Sequence, residues 1–121
     1  MTFCPNLDRE SKLAFYRKLT VLSVPAVCGE AFGLYVVEAM ASGVPVVAPN
    51  DASFPEIVEG NGAGVICEKN NPQALADTIE QLLLDRDRLA KCAAAGRQSA
   101  EQTYNIEHMA ESFAARLAKL V

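Results

Sequence analysis

Apolar positions along the chain follow two alternating rhythms, one at helical spacing and one in short unbroken runs. Residues 8–19 set Leu13, Phe15, Tyr16 and Leu19 among charged side chains, the pattern of an amphipathic helix, with Asp8 placed to cap its first turn. Val21 to Val24 is a short strand ending at Pro25, and a loop runs from Pro25 to Phe32. A helix is expected from about Gly33 to Ser42, stopped by Gly43. Val44 to Ala48 is apolar throughout and contains three valines, which suits a strand covered on both faces of a parallel sheet.

After a loop over residues 49–53, Pro55 to Glu59 reads as a short helix, residues 60–64 as a turn region and Gly64 to Cys67 as a further strand. Asn71-Pro72 opens another helix with proline at its first position, and Leu75, Ile79, Leu82 and Leu83 recur at helical spacing up to Leu84. An alanine-rich helix follows from about Asp87 to Glu101. Asn105 can cap a last one carrying Met109, Phe113, Leu117 and Leu120. Strands alternating with helices predict an α/β fold with an open parallel sheet. No repeat, low-complexity tract or long linker divides the 121 residues, which are enough for one domain with a modest core.

Charge narrows the choice of partners. Eleven Lys and Arg against fifteen Asp and Glu give a net charge of −4, and the basic residues are scattered. A nucleic acid or an anionic membrane is therefore not expected as a direct partner. No apolar run approaches the ~20 residues that span a bilayer, and the first residues do not form a signal peptide, so the chain reads as cytosolic. Cys4, Cys28, Cys67 and Cys92 lack the close pairs of a zinc or redox motif, and His108 is the only histidine. Free thiols and no bound metal are the expectation.

The candidate chemistry lies around Gly33. A helix that opens on a glycine presents unpaired N–H groups and the positive end of its dipole to the loop, a natural anion site. Glu30 stands just ahead of that turn and Glu38 eight residues later inside the helix, so both could accept hydrogen bonds from hydroxyls flanking a bound phosphate. A sugar on one side and a ribose on the other fits this arrangement. Glu38 lies in an otherwise apolar helix, where burying a carboxylate costs several kcal/mol unless something satisfies it. It could instead occupy a solvated face or meet another domain. For Glu30 the alternative is a helix-start charge that stabilises by roughly 0.3–1 kcal/mol. Phe32 could be core or ligand-facing, and Tyr35 is ambiguous.

Glu30-x-Phe32-Gly33-Leu34, then Glu38-Ala39-Met40-Ala41 and Gly43-Val44-Pro45-Val46-Val47, resembles the Glu-x7-Glu signature of family-4 glycosyltransferases, which are retaining enzymes of the GT-B fold. Pro55-Glu56-Ile57-Val58, Gly62-Ala63-Gly64-Val65-Ile66 and Asn71-Pro72-Gln73-Ala74-Leu75-Ala76 follow in that family's order, so the likeness runs over roughly residues 12–104. It implies a partial Rossmann-like domain, the C-terminal donor-binding half of a GT-B enzyme, without the acceptor-binding half or the opening strands of its own half. Glu38 would then hold the ribose hydroxyls of a nucleotide diphosphate sugar. Glu30 would sit by the donor sugar near the reacting carbon. Backbone N–H groups of Ala31, Phe32, Gly33 and Leu34 would meet sugar and diphosphate, with no metal or other cofactor.

The resemblance also implies that the terminal helix, residues 105–121, packs on the missing domain; a second copy of the chain could cover it instead, giving a homodimer. One stretch departs from the family. Asp51-Ala52-Ser53-Phe54 stands where relatives often carry a glycine pair, which leaves donor recognition by that loop open. Glu56 resembles a widely shared glutamate, or serves as a helix-start charge. The reading is hexosyl transfer by the whole enzyme, with the isolated chain inactive. A stand-alone nucleotide-sugar binding or assembly module is one alternative. A nucleotide-sugar epimerase of the same fold is another, although His108 is poorly placed for its acid-base work.

Overall fold

The all-apolar run forms the middle of the sheet. In the computed structural model, which describes residues 1–120, strand β1 (Leu22–Ser23), β2 (Val46–Pro49) and β3 (Gly64–Cys67) pair in that order, all parallel. Leu22 lies opposite Val46, and β2 pairs with β3 from Val46–Gly64 to Pro49–Cys67. Every residue of β2 is buried, as expected for a strand covered on both faces. The helices are α1 (Arg9–Arg17), α2 (Leu34–Ala41), α3 (Pro72–Leu84), α4 (Arg86–Gln102) and α5 (Ile106–Ala118), with one π-helical turn at Pro55–Glu59.

Strand alternation divides the core into two layers. Val46 and Ala48 pack with Val36, Met40, Phe54 and Val58, so α2 and the π-helical turn cover one face. Val47 and Cys67 pack with Leu82 of α3 and Cys92 of α4 on the other. Helix α4 reaches both layers, since its Ala100 joins the first. Gly96 lets α4 approach α2 closely, and a Cβ added there would come within 3.2 Å of the Ala63 side chain and 3.5 Å of Met40.

Several boundaries differ from the expected ones for identifiable reasons. Strand β1 is only two residues long, anchored by Leu22 N–H on Pro45 O and Val24 N–H on Val47 O, both 2.9 Å. Strand β2 begins at Val46 because Gly43 turns at φ 74° and Val44 N–H bonds back to Ala39 O at 3.0 Å. Pro55–Glu59 is a wider turn than a short α-helix, closed by Gly60 N–H on Pro55 O at 2.9 Å. The amphipathic reading of residues 8–19 needs correction. The helix spans Arg9–Arg17, only Tyr16 is buried, and Leu13 and Phe15 are exposed, because α1 meets α2 along the face that carries Lys12 and Tyr16.

Helix α5 has no buried residue at all. Ile106, Met109, Phe113, Leu117 and Leu120 form an exposed apolar stripe. Four helices are closed by their own side chains. Asp8, Asn71, Asp85 and Asn105 accept from Ser11, Ala74, Arg88 and His108 N–H at 2.7–3.0 Å. Replacing such a cap with alanine costs ~1 kcal/mol.

Two substitutions test this packing by urea unfolding. Asn71→Ala is expected to destabilise by about 1 kcal/mol through loss of its cap. Gly64→Ala pushes a Cβ into the Val46 backbone carbonyl on the neighbouring strand. It is expected to destabilise by about 2 kcal/mol or more through overpacking. A Gly64→Ala variant with an unchanged midpoint would contradict the β2–β3 approach described here.

Candidate functional site

Helix α2 is the exception among the α-helices. Its N-cap is Gly33, in the left-handed conformation at φ 79° and ψ 57°, with no side-chain cap and no acidic residue in the first turn. Val36 N–H bonds back to Gly33 O at 2.9 Å, but no side-chain oxygen caps the first turn, so the positive end of the dipole faces the loop without one. The helix is held firmly by its other side: Val36, Val37, Ala39 and Met40 are buried. Gly33 is itself buried. A Cβ there would contact the Glu30 side chain at 3.4 Å, the Phe54 ring at 3.5 Å and Val36 at 3.6 Å, so both its backbone angle and its crowding require glycine.

The loop ahead of α2 carries the other candidates. Glu30 is partly buried and its side chain folds over Gly33. Ala31, Phe32 and Leu34 are exposed. Phe32 lies edge-on to Tyr104, with ring centroids 6.2 Å apart, so it borders the loop rather than joining the core. The hydroxyl of Ser53 clamps the loop, donating to Phe32 O at 3.0 Å and reaching Glu30 O at 3.2 Å. The neighbouring Ala52 sits at φ 47°. This is a conformation that glycine adopts freely and alanine at a cost of roughly 1–2 kcal/mol. Burial, and then the Glu30 charge, push the Tyr35 hydroxyl above its usual value.

Glu38 follows Leu34 by one helical turn on the less buried side of α2, five residues beyond Gly33 and so about 7.5 Å further along the axis. Its carboxylate is engaged from α1. Lys12 Nζ donates to Oε1 at 2.7 Å, and the Tyr16 hydroxyl to Oε2 at 3.1 Å. Glu38 retains 27% side-chain exposure and Lys12 38%. Desolvation, followed by the Glu38 charge, pushes the Tyr16 hydroxyl up to about 12, so at neutral pH it remains a donor. Glu30 thus lies over the mouth of α2, and Glu38 sits mid-helix with its carboxylate turned to α1.

Sequence reasoning missed Lys12, Tyr16 and Ser53. The first two carried a faint signal, since they stand four residues apart on α1 and project from one face. Nothing in the sequence marks Ser53 as a clamp across 21 residues to Phe32. Glu56 is exposed in the first turn of the π-helical segment, where its backbone carbonyl accepts from Asn61 Nδ2 at 3.2 Å. His108 is exposed on α5.

A separate cavity of about 260 Å³ opens at the carboxyl ends of the three strands, lined by Val24–Val27, Pro49, Cys67 and the start of α3; neither Glu30 nor Glu38 lines it. All four cysteines are unpaired, with Cys67 and Cys92 buried and their thiols pushed up mainly by desolvation. Among the described residues there is no group of three metal-ligating side chains and no helix long and apolar enough to cross a membrane.

Known proteins resemble this chain in sequence and in fold. The chain is 41% identical over 69 residues to the GDP-mannose-dependent alpha-(1-6)-phosphatidylinositol monomannoside mannosyltransferase of Mycobacterium tuberculosis, a match covering 57% of this chain and 18% of that protein. Its fold superposes on sucrose-phosphate synthase from Thermosynechococcus elongatus with a TM-score of 0.86 at 28% identity, over 98% of this chain and 30% of that one. For Anabaena HepE in complex with UDP the TM-score is 0.79 at 26% identity, over 87% and 29%. The chain therefore spans less than a third of the length of each of these proteins. Both structural likenesses bear out the partial parallel α/β unit expected of a GT-B glycosyltransferase. Residues 1–99 match the family model described as glycosyl transferases group 1, and on that span the chain belongs to this family.

Proposed function

We propose that residues 1–121 form the C-terminal donor-binding half of a retaining hexosyltransferase, which takes a nucleotide diphosphate sugar as donor. The observation that carries this is the uncapped mouth of α2 at Gly33, with Glu30 folded over it and Glu38 one turn along. A diphosphate resting on the N–H groups of Ala31, Phe32, Gly33 and Leu34 gains the helix-start attraction that the other helices give to their own Asp and Asn caps. A ribose attached to that diphosphate would lie alongside the next turn, within reach of Glu38, and the transferred sugar would lie toward Glu30. The GDP-mannose dependence of the mycobacterial relative and the UDP bound to the Anabaena protein support a nucleotide-sugar ligand without choosing its base.

The chemistry asked of these groups is electrostatic. As the bond from the sugar to the diphosphate lengthens, negative charge gathers on the leaving phosphate and positive charge on the sugar carbon. Fixed N–H donors aimed at the phosphate stabilise that change without reorganising. Glu30 would place a negative charge next to the developing cation and an acceptor for a sugar hydroxyl, and the proposed reaction uses no metal. A separate acceptor-binding half would supply the opposite wall, docking on the exposed apolar stripe of α5. The mannosyltransferase and synthase names of the mycobacterial and Thermosynechococcus relatives favour transfer over epimerisation.

Ligand-observed NMR of this chain with UDP, GDP and ADP sugars tests the ribose assignment. Glu38→Ala is expected to weaken the best of them by about tenfold, the loss of hydrogen bonds to a charged acceptor. Equal signals from the two proteins would end the assignment. With any sugar nucleotide and acceptor the isolated chain is expected to show no transferase turnover, because only one wall of the site is present; measurable turnover would show that this chain is sufficient.

A further inference from the structure

We propose that Lys12 and Tyr16 are positioning residues for Glu38, fixing its carboxylate so that one acceptor site on each oxygen stays open to a vicinal pair of hydroxyls. The proposal rests on the ribose reading of Glu38 given above. An ionised carboxylate offers about four lone-pair sites, two per oxygen. Lys12 takes one on Oε1 and Tyr16 one on Oε2, which leaves one on each, the count that two adjacent hydroxyl donors need. The Glu38 side chain as a whole is 27% exposed and thus not sealed in the core.

The two partners anchor it differently. Tyr16 is 5% exposed, packed into the core, and its hydroxyl lies between Tyr35 O at 3.3 Å and Glu38 at 3.1 Å, so it acts as a fixed post. Lys12 is a half-exposed ammonium that holds one carboxylate oxygen and leaves two of its own donors free. A partly exposed ion pair of this sort contributes little to folding stability. Its effect falls instead on the rotamer of Glu38, whose side chain would otherwise be free to swing into solvent. Held in place, the carboxylate meets a diol without first losing that freedom.

The test compares a ribonucleoside diphosphate with its 2′,3′-dideoxy counterpart, UDP and dideoxy-UDP, by calorimetric or NMR titration of the full chain. Wild-type protein is expected to prefer UDP by about tenfold, the value of hydrogen bonds to a charged acceptor. Lys12→Met and Tyr16→Phe should each remove a good part of that preference, about threefold or more, while binding of the dideoxy ligand stays unchanged. Lys12→Arg, which restores a donor and a charge, should recover most of it. Tyr16→Phe keeps the buried ring, and melting curves within a few degrees of wild type would show that both variants fold. Unchanged UDP binding in Lys12→Met would overturn the proposal. So would equal weakening of both ligands, which would make Lys12 a general attraction for phosphate. If the wild-type protein binds both ligands equally, or if Glu38→Gln keeps the full wild-type preference for UDP, the ribose reading itself fails, and the positioning role falls with it.

Discussion

The burial of α2 fixes everything else at this site. Val36, Val37, Ala39 and Met40 turn into the core against β2, Phe54 and Gly96, each at 7% exposure or less. Burying a side chain of that size stabilises by roughly 1.5–3 kcal/mol, whereas a missing N-cap costs ~1 kcal/mol. Packing therefore decides where the helix lies, and its first turn can go without a side-chain oxygen. The same molecule caps α1, α3, α4 and α5 with Asp or Asn. The difference in α2 is its glycine start, which the crowding by Glu30 and Phe54 and the left-handed backbone both demand.

The loop that leads into α2 is shaped by contacts rather than by its own preferences. Ser53 ties the carbonyls of Glu30 and Phe32 to the turn after β2, and Ala52 holds the positive φ that a glycine would take more cheaply. The Ser53 hydroxyl pins the loop from behind. An amide cluster meant to receive a charge is most effective when it does not have to rearrange, and a clamp of this kind limits that rearrangement.

Local chemistry made much of this legible in the sequence. Asp8, Asn71 and Asn105 cap helices where the cap rule places them, Gly43 ends α2, and the valine run is the doubly covered strand. The acid in an apolar helix was recognisable as something in need of a partner. Its partner was not, because Lys12 lies 26 residues away and becomes a neighbour only when α1 packs beside α2. Apolar faces misled for a related reason. Leu13 and Phe15 on α1 read like core residues by spacing, yet spacing reports only that a face is apolar and not what covers it.

Those uncovered faces and the openness of the α2 mouth belong to one physical picture. A parallel sheet is stable when covered on both faces, and here β1 is a two-residue edge while α1 and α5 leave Phe15, Met109, Phe113 and Leu120 in water. On the donor-binding reading, a facing domain would cover the α5 stripe and close over the mouth together. That closure matters for the chemistry as well as the packing. In open water a unit charge pair at 4 Å gains only ~1 kcal/mol, but several times more at the lower effective dielectric near or inside a protein. The N–H groups around Gly33 can locate a diphosphate while exposed. Stabilising the charge that builds on it during transfer requires the water around them to be displaced, and that is the part of the work a second wall would do.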